Sequence, residues 1–226
     1  MTRSTTARLA GFGYLSYIVV GILNEVLIYR ATSVEGAAAK LARIAEYSTD
    51  MRLAIILKLA ECFSAFVIAV ALYGITRDED NELAMLGLLC RVAEGVLIAS
   101  LIPNSQGLLW LASVRAGVDV PDVATTNALG AFLLAPGAAV GAIFFAVGSA
   151  IFSYLLLRGR MIPVSLAWWG VLSSALLVVG VPLQVAGFLT GPLAGYQWVP
   201  AIVFAPVFAL WLLIKGVATP GRREMR

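Results

Sequence analysis

Apolar residues run through this chain in long blocks, with the polar residues gathered in the gaps between them. A bilayer core about 30 Å thick takes roughly 20 apolar residues of helix to cross. Six blocks meet that length: 9–29, 51–75, 83–111, 131–157, 163–189 and 197–214. The pattern predicts an all-α fold, a polytopic transmembrane bundle of about six helices forming a single transmembrane domain over residues 1–226. The first block has no small-residue cleavage site and reads as a retained helix. The third is too long for an upright span. Pro103, followed by Asn104, Ser105 and Gln106, marks a kink or the membrane exit, and Trp110–Val114 then reads as an interfacial helix.

The gaps carry their own signals. Residues 77–82 form a charged turn, Arg158-Gly159-Arg160 a tight basic one, and Gly191-Pro192 a break before the last helix. Residues 33–47 fit an amphipathic surface helix or an ordered loop, and Asp119-Val120-Pro121-Asp122 resembles a helix start.

Composition sharpens the picture. The chain is 61% hydrophobic and 13% charged, against about 25% charged in soluble domains. Basic residues then give orientation. Arg3, Arg8, Arg77, Arg158, Arg160, Lys215, Arg222, Arg223 and Arg226 lie on one side; Arg30, Lys40, Arg43, Arg52 and Arg115 lie on the other. That bias predicts both termini inside, in a multi-pass protein of the cell membrane. The net charge of +3 is therefore read as loop charge, and the expected partners are membrane lipids rather than nucleic acid. Oligomeric state is left open.

Chemistry is narrowed by what is missing. The chain has no histidine, which excludes His-ligated metals, Ser-His-Asp triads and Cys-His dyads. Cys62 and Cys90 lie in apolar runs and read as unpaired core residues. No phosphate-binding loop, dinucleotide fingerprint or CxxC occurs, so no cofactor and no metal is expected. Gly137, Gly141 and Gly148 form a small-residue stripe, read as close helix packing before dimerisation. Trp168, Trp169, Trp198 and Trp211 near span ends suggest an aromatic belt. Gln184, beside Pro182, is expected to touch a polar cluster or to cap a kink.

That cluster is the candidate site. Helix one carries Asn24 and Glu25, helix two Lys58 and Glu61, and helix three Arg91 and Glu94. A charge at mid-bilayer costs roughly 2.5–3.5 kcal/mol on insertion scales, so these five charges should face protein or water. Lys58–Glu61 and Arg91–Glu94 are i, i+3 pairs, each on one helix face. Counting helical rise puts all five between about 6 and 17 Å below the outer edge. One polar pocket among helices one to three is expected, with Arg52 and Asn104 at its rim. Tyr14, Tyr17, Phe12, Phe63 and Phe66 are its candidate apolar lining. Three acids against two bases leave one acid over, available as a general acid, proton carrier or hydrogen-bond donor.

Several segments together resemble a known family. They are Arg8 to Leu15 running on to Gly21-Ile22-Leu23-Asn24-Glu25, Arg91-Val92-Ala93-Glu94, the turn Arg160-Met161-Ile162-Pro163 before Gly170-Val171-Leu172, and the closing Trp211 to Val217. Over nearly its whole length the chain resembles the prokaryotic membrane family catalogued as domain of unknown function 4386. The resemblance implies a six-helix membrane protein and carries no activity; Lys58 and Glu61 depart from its pattern.

Three functions follow as expectations. The first is acid–base chemistry on a lipophilic, isoprenoid-like substrate, as in a membrane terpene cyclase or isomerase. Glu25, Glu61 and Glu94 are its candidate catalytic acids; Asn24, Lys58, Arg91, Asn104, Tyr17 and Phe63 are its candidate substrate contacts. The second is a proton-coupled transporter of small molecules. The third is a non-catalytic binding or scaffold protein whose charges hold helices together.

Overall fold

The computed structural model describes residues 2–113, 122–134 and 140–218. The regular elements among them are all helices. In chain order they are α1 (Arg3–Thr32), α2 (Ala37–Glu46), α3 (Ser48–Thr76), α4 (Asn81–Ala99) and α5 (Ile102–Ser113). There follow α6 (Val123–Leu134), α7 (Val140–Arg158), α8 (Val164–Val185), α9 (Pro192–Tyr196) and α10 (Val199–Ile214). Among the described residues six segments are long and apolar enough to cross a membrane: α1, α3, Asn81–Ser113, α7, α8 and Pro192–Ile214. Their outward faces are apolar, with Ile22, Ile56, Leu89, Val179 and Ile202 all exposed. A bilayer is the solvent such faces require.

The element boundaries have local causes. The long third block breaks at Ser100–Leu101, and Pro103 sits in the first turn of α5, where its missing N–H costs nothing. The expected fourth helix over 131–157 runs across residues 135–139, which lie outside the described residues. Of its described part, residues 131–134 belong to α6, which begins at Val123, and residues 140–157 belong to α7. Gly137 lies outside the described residues, as do Asp119 and Pro121. The fifth helix stops short of Leu189 because Gly187 adopts φ 81°. There Phe188 N–H donates to Leu183 O and Gly187 N–H to Gln184 O, a paired C-cap.

The chain divides into two compact units. The first comprises residues 1–18, 62–97 and 138–226. Its main core joins Ala7, Ala10, Ile68, Leu72, Phe152, Leu155, Phe208 and Leu212. Gly11 of α1 meets the α10 backbone directly: a Cβ there would lie 2.7 Å from Ala209 O and 2.8 Å from Leu213 N. At one end of this unit Arg158 bridges Glu79 (3.0 Å) and Asp80 (3.1 Å), and Arg3 reaches Asp78 at 3.8 Å. Asp80 also accepts from the Leu83 amide at the start of α4. The acidic turn is thus matched by the basic one, which agrees with their assignment to the same side of the membrane.

The second unit comprises residues 19–61 and 98–137. Residues 37–46 form the amphipathic helix: Leu41 and Ile44 of α2 are buried with Leu108 and Leu111 of α5, Met51 and Ala31. Tyr47 ends α2 beneath the Arg43 guanidinium, 4.9 Å from the ring centre. Asp122 caps α6 by accepting from the Thr125 amide at 2.7 Å. That bond holds its carboxyl below the ordinary carboxylate range. A depressed folded-state value means the cap contributes above the unfolded value and is lost as pH falls through the folded one. Asp122→Ala is expected to raise amide exchange at Thr125 at neutral pH. The difference from the parent should shrink under acid conditions; a difference that persists there would contradict the carboxylate's role.

Candidate functional site

α4 buries one stripe: Ala84, Gly87, Cys90, Arg91, Glu94 and Gly95, spaced by helical turns. Arg91 is fully buried and Glu94 is 2% exposed. Arg91 Nη1 lies 2.5 Å from Glu94 Oε2, and the Tyr17 hydroxyl of α1 donates to Glu94 Oε1 at 2.8 Å. Three rings surround the guanidinium, with centres 5.9 Å (Tyr14), 5.7 Å (Tyr17) and 4.9 Å (Phe145, on α7) from Cζ. These distances suit cation–π attraction, which strengthens where water is excluded. Gly148, one helical turn beyond Phe145, admits the Arg91 stem: a Cβ there would lie 3.0 Å from Arg91 Cγ. The stripe of Gly141 and Gly148 is therefore packing surface for α4, with Leu97 against Gly141.

A guanidinium carries five N–H donors. Among the described residues, Nε and Nη2 of Arg91 have no hydrogen-bond partner although both are buried. The site thus combines a paired charge, an aromatic wall and three unused donors. Phe145 also stacks on Trp198, centres 6.3 Å apart, so Trp198 supports this wall from within the same unit.

The second cation–carboxylate pair belongs to the other unit. Lys58 Nζ lies 3.0 Å from Glu61 Oε2, with side chains 17% and 12% exposed. Asn24 is fully buried, and its Nδ2 donates to Ala54 O at 2.7 Å, tying α1 to α3. Gly21 of α1 leaves room beside Glu61: a Cβ there would lie 3.5 Å from Oε1.

Other expected site residues lie differently. Glu25 is exposed, because the roughly 100° between successive helical residues turns it away from the face that buries Asn24. Phe63 is 63% exposed, touching Phe66 edge-on at 6.0 Å between centres; Phe12 is also 63% exposed. Asn104 is half-buried near the start of α5, and Arg52 is exposed in the first turn and a half of α3. Gln184 is bonded to another amide: its Oε1 accepts from Gln197 Nε2 at 2.6 Å. Cys62 and Cys90 are buried free thiols. Among the described residues no three His, Cys, Asp or Glu gather where they could hold a metal ion.

Sequence reasoning missed Phe145. Its signal was the register: it lies four residues after Gly141 and three before Gly148, on their face of α7.

A family model described as Domain of unknown function (DUF4386) matches residues 9–216, a stretch that takes in both charged pairs. No curated protein and no solved structure matches the chain.

Proposed function

The chain belongs to the family Domain of unknown function (DUF4386), which brings no activity with it, and on its own geometry we propose that it binds a lipophilic small molecule inside the membrane, with Arg91 anchoring the molecule's oxygen-bearing head. The observation that carries this reading is the fully buried guanidinium whose Nε and Nη2 lack hydrogen-bond partners among the described residues. Unsatisfied buried donors are costly, and a hydrocarbon surrounding supplies no acceptor. A carboxylate, phosphate or carbonyl head would satisfy them, and the rings of Tyr14, Tyr17 and Phe145 suit the apolar part beside it. Both buried carboxylates of the expected acid set, Glu61 and Glu94, already have a cation within 3.0 Å. That pairing favours binding as the first role.

Acid–base conversion of the bound molecule is the second reading. It is favoured by the Tyr17 hydroxyl, which donates to Glu94 and so holds a transferable proton beside the anchor. Isoprenoid isomerisation or cyclisation is the reaction class it suits.

The test is extraction of lipophilic molecules from the full chain purified in mild detergent, identified by mass spectrometry. The parent is expected to retain one such molecule in near-stoichiometric amount, and folded Arg91→Gln to lose it. Equal retention by a folded Arg91→Gln, or an empty parent, would sink the proposal. Tyr17→Phe separates the two readings: retained binding with lost product formation supports conversion, and unchanged product formation removes it.

A further inference from the structure

The second unit contains a cleft of about 580 Å³ lined by Ile44, Ala45, Ser48, Arg52, Leu109, Trp110, Ala112 and Ser113. It is bounded by the end of α2, the start of α3 and the end of α5, and shares no residue with the Arg91 centre. Its volume falls in the range of small-molecule pockets, roughly 300–1,000 Å³. Its chemistry is divided. Ile44, Leu109 and Ala112 are apolar, whereas Arg52 and the Ser48 hydroxyl are donors.

Arg52 is the telling residue. Arg30 pairs with Asp50 at 3.4 Å, Lys58 pairs with Glu61, and Arg43 donates to Arg30 O; Lys40, on α2, does not line the cleft. Among the described residues Arg52 has no carboxylate within ion-pair distance. Asp50, two residues before it, is engaged by Arg30. Trp110, 53% exposed, stands at the same cleft. Tryptophan prefers the level of lipid headgroups, where one side of the ring is apolar and the other wet. Arg52 lies in the second turn of α3, near the end of a membrane-spanning segment. An unpaired guanidinium, a hydroxyl, a tryptophan and an apolar floor make a receptor for a molecule that is anionic at one end and greasy at the other.

We propose that this cleft binds an amphiphile with an anionic head on an acyl chain, its head on Arg52 and Ser48 and its chain along Leu109, Ala112 and Trp110. Two sources offer that chemistry, an anionic membrane phospholipid and a free fatty acid. The experiment is native mass spectrometry of the full chain in detergent, titrated separately with phosphatidylglycerol, oleate and phosphatidylcholine. Arg52→Gln is expected to weaken at least one anionic probe by about tenfold or more, the scale of a charged hydrogen bond, while leaving phosphatidylcholine unchanged. A loss confined to phosphatidylglycerol assigns the cleft to a membrane lipid, and one confined to oleate assigns it to a fatty acid; either supports the proposal. Unchanged binding of both anionic probes overturns it, since that would leave only diffuse surface attraction. Ala45→Trp, on an exposed position of α2, is a second variant that fills the cleft without removing charge. It is expected to cut binding of the same anionic probe by a similar factor, and an unaltered titration overturns the proposal on its own.

Discussion

Arg91→Met is expected to lower the stability of the first unit by about 3–5 kcal/mol, the cost of removing one partner from a buried ion pair. The variant leaves the Glu94 carboxylate 2% exposed, with the Tyr17 hydroxyl still donating to it but no cation beside it. The three rings lose their common cation as well. For a chain of this length the loss corresponds to a fall of roughly 6–20 °C in thermal midpoint, read in detergent by the protein's own tryptophan fluorescence. Arg91→Met combined with Glu94→Gln should recover most of it, because no unpaired charge then remains. If the double variant melts no higher than the single one, the pair's charge is not what stabilises the unit, and shape alone must account for the loss. Binding and stability are thus read on different variants.

Gly11→Ala is the second large effect. Most glycine contacts in this protein meet side chains that can shift; Gly13, for example, faces Ile68 Cγ1 at 3.0 Å. At Gly11 the added methyl would meet Ala209 O at 2.7 Å and Leu213 N at 2.8 Å, which belong to the backbone of α10. Neither atom can move without displacing the helix, so the cost should reach the upper part of the overpacking range, about 3 kcal/mol. Gly13→Ala should cost visibly less, and Gly195→Ala, with open space around its Cβ, close to nothing. The ranking of the three thermal midpoints is the measurement. A Gly11→Ala chain as stable as Gly195→Ala would mean that α1 and α10 are not in backbone contact.

Much of this was legible from the residues, and the rest has identifiable reasons for having been hidden. Span number followed from block length, because a bilayer imposes one thickness on every crossing helix. The pairs Lys58–Glu61 and Arg91–Glu94 followed from helical spacing alone, since three residues apart means one face whatever the helix packs on. Which way that face turns is set by neighbours distant in sequence. Asn24 and Glu25 show the difference: both are polar, adjacent and in one helix, yet one is buried and the other exposed. Phe145 was hidden for the same reason, as one aromatic among many in an apolar helix. The bridge from Arg158 to Glu79 and Asp80 joins turns nearly eighty residues apart and has no local signature. α6 was hidden by its apolar end, which merges in sequence with the block that follows Pro136.

Two cations set inside membrane-spanning helices are answered from their own helix: half-buried Lys58 by Glu61 on α3, and buried Arg91 by Glu94 on α4. The spacing has a meaning for biogenesis. A helix leaving the insertion machinery meets lipid before it meets its neighbours, and a lone lysine or arginine at that moment costs roughly 2.5–3.5 kcal/mol. A cation with its counter-charge one turn away enters as a dipole rather than a net charge. Electrostatics therefore need not dictate the order in which these spans arrive. α3 and α4 can each settle in the bilayer alone, and the rings of α1 and α7 close around the arginine afterwards.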